Sequence, residues 1–327
     1  VTVLKSVHKE SNGIWIDWSG LTQEELTPEL EDKVEKSVHK QQCATVKLIQ
    51  DDLDLYYYGF SNRTLWPLFH YFIEYTEYDP ASWNAYQHVN EKFVEMVLKH
   101  AEKGEQIWIQ DYQLLLVPAL VKAKKPNLSI GFFNHIPSYE IFMTFPKHKK
   151  LLEGMLGADL IGFHTYDYER HFLSSVKRIL SLEVNFNKIT YNNRIVKVDS
   201  FPMSIDYKEF KNVALKHNQQ DENNKSEIQN KLDQHIEKEV GMKMVLSIDK
   251  MDYTKGIPNR LKAYDYFLRK YPEFQEEIRL VMLAVTPRSQ VPQYQKLKQE
   301  TDELVGRING EFSTVSWTPI WYFYRTL

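Results

Sequence analysis

The chain has 327 residues, with 41 Lys plus Arg against 44 Asp plus Glu and a formal charge of −3; that is length for two ordinary domains, without the basic surplus of a general nucleic-acid binder. Its 43% hydrophobic content excludes a disordered chain, and one cysteine, Cys43, excludes an intrachain disulfide framework and a cysteine-rich metal site. The apolar run Leu114–Val121 is far short of the ~18 residues of a membrane span, and no basic-then-apolar start precedes it, so the expectation is a cytoplasmic protein.

In chain order, Gly13–Gly20 (GIWIDWSG) is the first dense aromatic segment, and residues 21–42 are polar, a helix or a loop. Ala44–Ile49 reads as a short strand, and Tyr56–Asn62 as aromatic, polar and turn-like. Ala81–His100 has no internal Pro or Gly and predicts a helix. A regular alternation follows: strand Gln106–Gln110, helix Tyr112–Ala123, strand Leu128–Phe133, helix Tyr139–Met155, strand Asp159–Phe163, helix Tyr166–Leu180. Residues 207–242 change character, and the polar stretch 217–234 reads as a linker or surface excursion, with a helix near 226–238. The alternation then restarts: strand Met244–Ile248, helix Arg260–Tyr271, strand Arg279–Val285, helix Val291–Leu304, strand Phe312–Val315. Strands alternating with helices predict an α/β fold with parallel sheets covered on both faces. The expected organisation is a first domain over 1–206, a linker over 207–242 and an incomplete second α/β domain over 243–327.

Open parallel sheets bind ligands beyond the carboxyl ends of their strands. Asp111 follows the first regular strand, His135 the second and His164 the third; Asp249–Gly256 (DKMDYTKG) and Arg288 follow strands of the second domain. Lys250 and Lys255 flank a strand-to-helix turn ending in glycine, where two ammonium groups and free backbone N–H groups suit a diphosphate; a solvated turn is the alternative. Arg288 in such a place suits bidentate phosphate recognition, or is a surface arginine. His135, between a strand and Ile-Pro, is an active-site candidate, whereas His171 fits a structural role. Tyr56–Asn62 with Trp66 offers rings and hydroxyls suited to a sugar, or plain core aromatics. Only 12 residues are glycine, about half of the usual ~7%, and no glycine-rich nucleotide motif or metal-ligand spacing is present.

The stretches Phe60–Tyr71 (FSNRTLWPLFHY), Ile107–Leu115 (IWIQDYQLL), Gly131–Pro137 (GFFNHIP) and Gly157–His164 (GADLIGFH) occur in the first part of the chain. Asp252–Pro258 (DYTKGIP), Val305–Gly310 (VGRING) and Trp317–Pro319 (WTP) follow. In this order they resemble the trehalose-6-phosphate synthases, glycosyltransferase family 20, retaining transferases of the two-Rossmann-domain (GT-B) kind. The resemblance implies an acceptor-binding first domain and a donor-binding second domain. It implies transfer of glucose from UDP-glucose to the anomeric hydroxyl of glucose 6-phosphate, without metal or other cofactor, nucleic acid or membrane; a homo-oligomer is left open. Carried over by motif, Trp18, Tyr57, Trp66, Asp111 and Arg288 line the acceptor, with Tyr57 and Arg288 at its phosphate. His135 sits near the transferred glucose, and Lys250 and Lys255 face the donor diphosphate. His135, Asp111, Lys250 and Lys255 form the implied catalytic set. The acceptor attacks the face that UDP leaves, without the carboxylate nucleophile of many glycoside hydrolases.

Departures accompany the resemblance. The family's Ser-Asn-Arg and Gly-Gly segments are expected before this chain begins and its Asp-Gly-Met-Asn segment after it ends, so truncation at both ends is implied. Two residues are missing after Pro137, Lys250 replaces the usual arginine, and Asp17 the usual glycine. A non-catalytic paralogue that binds sugar phosphate or a partner subunit, and a relative with another acceptor, therefore remain open readings.

Overall fold

The computed structural model describes residues 2–11, 13–134, 139–218, 241–286 and 292–325. The chain divides into two compact units, Val1–Ile205 and Asp206–Leu327.

The first unit begins with α1 (Thr2–Ser11) and a two-stranded parallel pair, β1 (Trp15–Trp18) and β2 (Cys43–Val46), joined through α2 (Pro28–Lys40). The chain then winds through a short turn of helix, α3 (Gln50–Asp52), a π-helical stretch (Leu53–Leu65) and α4 (Trp66–Phe69). Tyr56–Asn62 is thus helical, not turn-like. Gly59 serves packing there: a Cβ would lie 2.7 Å from Ser82 Oγ and 3.2 Å from the Asp54 carbonyl. The wide π-turns end with the Trp66 N–H donating to the Ser61 carbonyl, and such geometry recurs at functional sites. A largely buried ion pair, Lys92 Nζ to Asp52 Oδ2 at 2.6 Å, ties the start of this stretch to α5 (Pro80–His100).

Asp79 caps α5 by accepting from the Ala81 and Ser82 N–H groups, and Pro80 occupies the first turn, where its missing N–H costs nothing. Trp83, Tyr86, Asn90, Phe93, Val94 and Val97 form the buried helical stripe that builds the core. The central sheet has the order β3-β4-β5-β8-β7-β6. Its strands β3 (Gln106–Gln110), β4 (Ser129–Phe133), β5 (Leu160–Phe163) and β8 (Arg194–Ser200) are parallel, alternating with α6 (Val117–Lys124), α7 (Tyr139–Met143), α8 (His148–Met155) and α9 (Tyr166–Ile179). An antiparallel extension, β6 (Val184–Asn185) and β7 (Lys188–Tyr191), which the sequence reading did not foresee, widens the sheet through two tight hairpins. The helix expected over Tyr139–Met155 is two, because Pro146 cannot donate and clashes with a continuing turn. The helix expected from Tyr112 begins as a 3-10 turn, Tyr112–Leu114, and becomes α-helical at Val117 with Pro118 in its first turn. Gly157 is demanded by close approach to α6: a Cβ would stand 2.0 Å from the Ala119 nitrogen and 2.2 Å from its Cα.

The second unit holds α10 (Tyr207–Asn218) and a parallel sheet in the order β11-β10-β9. Strands β9 (Lys243–Lys250), β10 (Ile278–Val285) and β11 (Ile320–Tyr324) alternate with α11 (Ile257–Lys270) and α12 (Pro292–Phe312). Of the region 207–242 expected as linker, α10 occupies the first part and 219–240 lie outside the described residues, including the helix expected near 226–238. The strand expected over Phe312–Val315 is not there: Phe312 closes α12, and the last strand is the aromatic run after Pro319. Asn309 fixes its start, its amide oxygen accepting from the Ile320 N–H and its NH2 donating to the Ile320 carbonyl, both at 3.0 Å.

Candidate active site

In the first unit, α5 holds the segment after β3. The Tyr86 hydroxyl donates to the Tyr112 carbonyl at 2.8 Å and accepts from the Leu115 N–H at 3.0 Å, while Asn90 binds Gln113 and Leu116. This clamp places Asp111 at φ 73°, ψ 172°, a region populated essentially by glycine alone. Its Oδ1 accepts from the Tyr112 N–H at 2.9 Å. Burial pushes the Asp111 carboxyl above its ordinary range; the Tyr112 N–H and the charge of His70 pull partly the other way.

Trp66 is linked to this segment through His70 and Tyr112. Its indole is 3.8 Å from the His70 ring, centroid to centroid, and 5.7 Å from that of Tyr112, and His70 Nδ1 is 2.8 Å from the Trp66 carbonyl oxygen. The Trp66 indole N–H is buried without a hydrogen-bond partner, as are both polar atoms of the Asn134 side chain, at the end of β4. Buried polar atoms are almost always paired, so these orphans mark a place where a polar ligand would be satisfied. Trp18, ending β1, meets Tyr57 of the π-helical stretch with ring centroids 6.4 Å apart, and its own N–H is anchored on the Leu21 carbonyl at 2.8 Å. The fold thus brings Trp18 to Tyr57, and Trp66 to Asp111 through His70 and Tyr112. His135 lies outside the described residues.

In the second unit, Lys250 ends β9 and Lys255 ends a 3-10 turn (Tyr253–Lys255) that leads into α11 through Gly256 at φ 62°. Neither ammonium has a partner among the described residues, and both are exposed. The turn between them is rigidly built. Asp252, 1% exposed, accepts from the Thr254 N–H at 3.0 Å and from the Tyr294 hydroxyl at 3.1 Å. Arg260 on α11 pairs with Asp249 Oδ2 at 2.6 Å, so the guanidinium and carboxylate lock strand to helix. Two unpaired cations on a fixed turn at a helix N-terminus are a candidate anion site. Arg288 lies outside the described residues, just beyond Thr286. Sequence reasoning missed His70 and Arg260 and noted Asn134 only as the strand-end neighbour of His135; the four-residue spacing of His70 from Trp66 and the strand-end place of Asn134 were usable signals. Among the described residues no three His, Cys, Asp or Glu side chains converge as a metal site, and no helix is long and apolar enough to cross a membrane.

Parallel sheets with a carboxylate and aromatics beyond one set of strands, and unpaired lysines beyond another, define an α/β protein with a candidate ligand site in each unit. The sequence profile of Glycosyltransferase family 20 matches residues 1–327, and the chain belongs to that family. It is 40% identical over 321 residues to an α,α-trehalose-phosphate synthase (UDP-forming) A of Dictyostelium discoideum, covering 97% of this chain and 42% of that protein. An Escherichia coli trehalose-6-phosphate protein bound with UDP-2-fluoro glucose superposes with a TM-score of 0.86 at 29% identity, over 99% of this chain and 70% of that one. A Burkholderia xenovorans α,α-trehalose-phosphate synthase (UDP-forming) in complex with glucose-6-phosphate gives a TM-score of 0.83 at 25% identity, over 96% and 68%. These likenesses agree with the GT-B class expected from the sequence. The chain spans less than half of the Dictyostelium relative.

Proposed function

We propose that the protein to which this chain belongs is a UDP-forming α,α-trehalose-phosphate synthase, moving glucose from UDP-glucose to glucose 6-phosphate with retention. The observation that carries the reading is the Lys250–Gly256 turn, whose two unpaired ammonium groups stand at a helix N-terminus where a leaving diphosphate would gather charge. The bond from glucose C1 to the β-phosphate oxygen breaks with its electron pair leaving on UDP, while the acceptor's anomeric oxygen bonds to C1 from the same face and its hydroxyl proton passes to the departing phosphate oxygen. Lys250 and Lys255 stabilise the departing charge without a metal, and His135 lies near the transferred sugar. Trp18, Tyr57, Trp66 and Asp111 line the acceptor, Asp111 accepting from its hydroxyls, and Tyr57 and Arg288 meet its phosphate. The sites work in the cytoplasm, a compartment that suits a chain with a single cysteine.

The test is UDP release by the purified chain, with both sugars present and each omitted in turn, repeated with a chelator. Release that needs both and survives chelation is expected. Saturable binding of both substrates without release would replace the reading with that of a sugar-phosphate-binding paralogue, to which the substitution of lysine for arginine at 250 already leans.

A further inference from the structure

A groove of about 650 Å³ runs along the outer face of α9, lined by none of the residues assigned above, and its far wall is the β6–β7 hairpin. Tyr166, Arg170, Leu173, Lys177 and Arg178 line its helical side, at the spacing of one face of an α-helix. Phe186 stands on the hairpin side. From Tyr166 to Arg178 this face is about 18 Å long.

Folding does not account for Phe186. It is 93% exposed, so it contributes almost nothing to the core. It also occupies the first position of a two-residue turn at φ 52°, a conformation that a bulky side chain resists and that glycine accepts freely. The neighbouring hairpin, by contrast, turns through Asn192 and Asn193 at φ 49° and 59°, the residues such a turn favours. A bulky residue held in this backbone region is an outlier of the kind that clusters at ligand clamps and switch regions.

The charge of the groove says what that is. Lys177 and Arg178 have no carboxylate partner among the described residues; Arg178 lies over the Tyr139 ring, 5.1 Å from its centroid. Arg170 is held only by an exposed pair with Asp167. Glu169, the one carboxylate in the lining, is 7% exposed and stands against three cations. On a chain of net charge −3, this is a local cationic stripe with an aromatic at its rim. We propose that the α9–hairpin groove docks an acidic segment of a partner protein, its carboxylates on Arg170, Lys177 and Arg178 and one large apolar side chain between Phe186 and Tyr166. An open groove three helical turns long fits a peptide better than a small anion, which would need enclosure.

The experiment pans a phage-displayed random dodecapeptide library on the purified chain, with Phe186→Gly and Lys177→Glu variants as counter-screens. Expected are peptides with several Asp or Glu residues around an aromatic or leucine. Their synthetic versions should bind at least tenfold more weakly to either variant and lose affinity as salt rises. Phe186→Gly should raise Tm, because glycine relieves the turn, so weaker binding could not be blamed on unfolding. Enrichment only of neutral or basic peptides, or acidic ones that bind both variants like the parent, would overturn the proposal. A self-associated chain that Phe186→Gly dissociates in sedimentation would overturn it too, since the occupant would then be a second copy.

Discussion

Asp111 combines two costs that folding alone does not repay. Its φ,ψ pair is one that glycine tolerates and other residues pay for at roughly 1–3 kcal/mol. Its carboxyl is buried, which raises its pKa and opposes ionisation. Asp111→Gly should therefore stabilise the ligand-free protein by about 1 kcal/mol, after allowing about 1 kcal/mol for the lost bond to Tyr112. The sign with pH follows from the raised pKa. Asp111 contributes stability that is full below its ordinary 3.8 and is lost as pH rises through the raised value. The advantage of glycine should thus be least in acid and grow toward neutrality, with glucose 6-phosphate binding abolished throughout. Thermal melts across pH check it; a destabilised variant at pH 7 would mean the strain is not there. Lys255 is the converse case, an exposed cation with no structural bond to lose. Lys255→Ala should leave Tm unchanged and weaken UDP binding about tenfold or more, the worth of one charge-assisted contact. Unchanged UDP affinity by calorimetry would remove Lys255 from the donor site.

Elements differ in how openly their sequences declare them. Strands β4, β5 and β10 are buried parallel strands, and their short apolar runs are legible for that reason, whereas β3 and β9 are edge strands that keep apolar runs although much of their surface is exposed. Strand β6 is only two residues long, and β7 and β8 interleave polar and charged residues with Val and Ile, so they are weaker signals, although Asn192-Asn193 is a turn the sequence does offer. The π-helical stretch was illegible because Gly59 and Asn62 carry turn chemistry, while the packing against α5 that overrides it is tertiary. In the site, Lys250, Lys255 and Asp111 were legible from their place at strand ends. The strain at Asp111, the tilted Trp66–His70 contact and the unpaired state of the Asn134 amide depend on through-space neighbours and were not. Gly157 shows what an element contact demands. Gly157→Ala would drive a Cβ into the backbone of α6 and should cost about 3 kcal/mol, seen as a lowered Tm. Gly306→Ala is the control. It lies within α12 with nothing within 4 Å of the new Cβ, so it should stabilise by about 0.5–1 kcal/mol. Equal effects would show that the α6 contact is not tight.

Across the whole molecule, the two candidate half-sites belong to separate cores. The first unit packs around Tyr86, Phe60, Leu115 and Phe163, and the second around Met251, Leu261, Met282 and Ile308. Each half-site is fixed by bonds inside its own unit: Asp111 by Tyr112, with its segment clamped by Tyr86 and Asn90, and the lysine turn by Asp252, Tyr294 and the Arg260–Asp249 pair. A ligand that binds one half-site therefore stabilises local opening reactions in that unit first. Hydrogen exchange resolves the two. UDP alone should slow exchange at residues 249–260 and leave 53–66 and 111–116 unchanged, while glucose 6-phosphate alone should do the reverse. Reversed assignments would exchange donor and acceptor between the units, and protection spread evenly by either ligand would show that the half-sites are not energetically independent. Segregated protection would establish that each substrate is read by its own unit, the condition under which Asp111 and Lys255 can be altered one at a time without disturbing the other ligand.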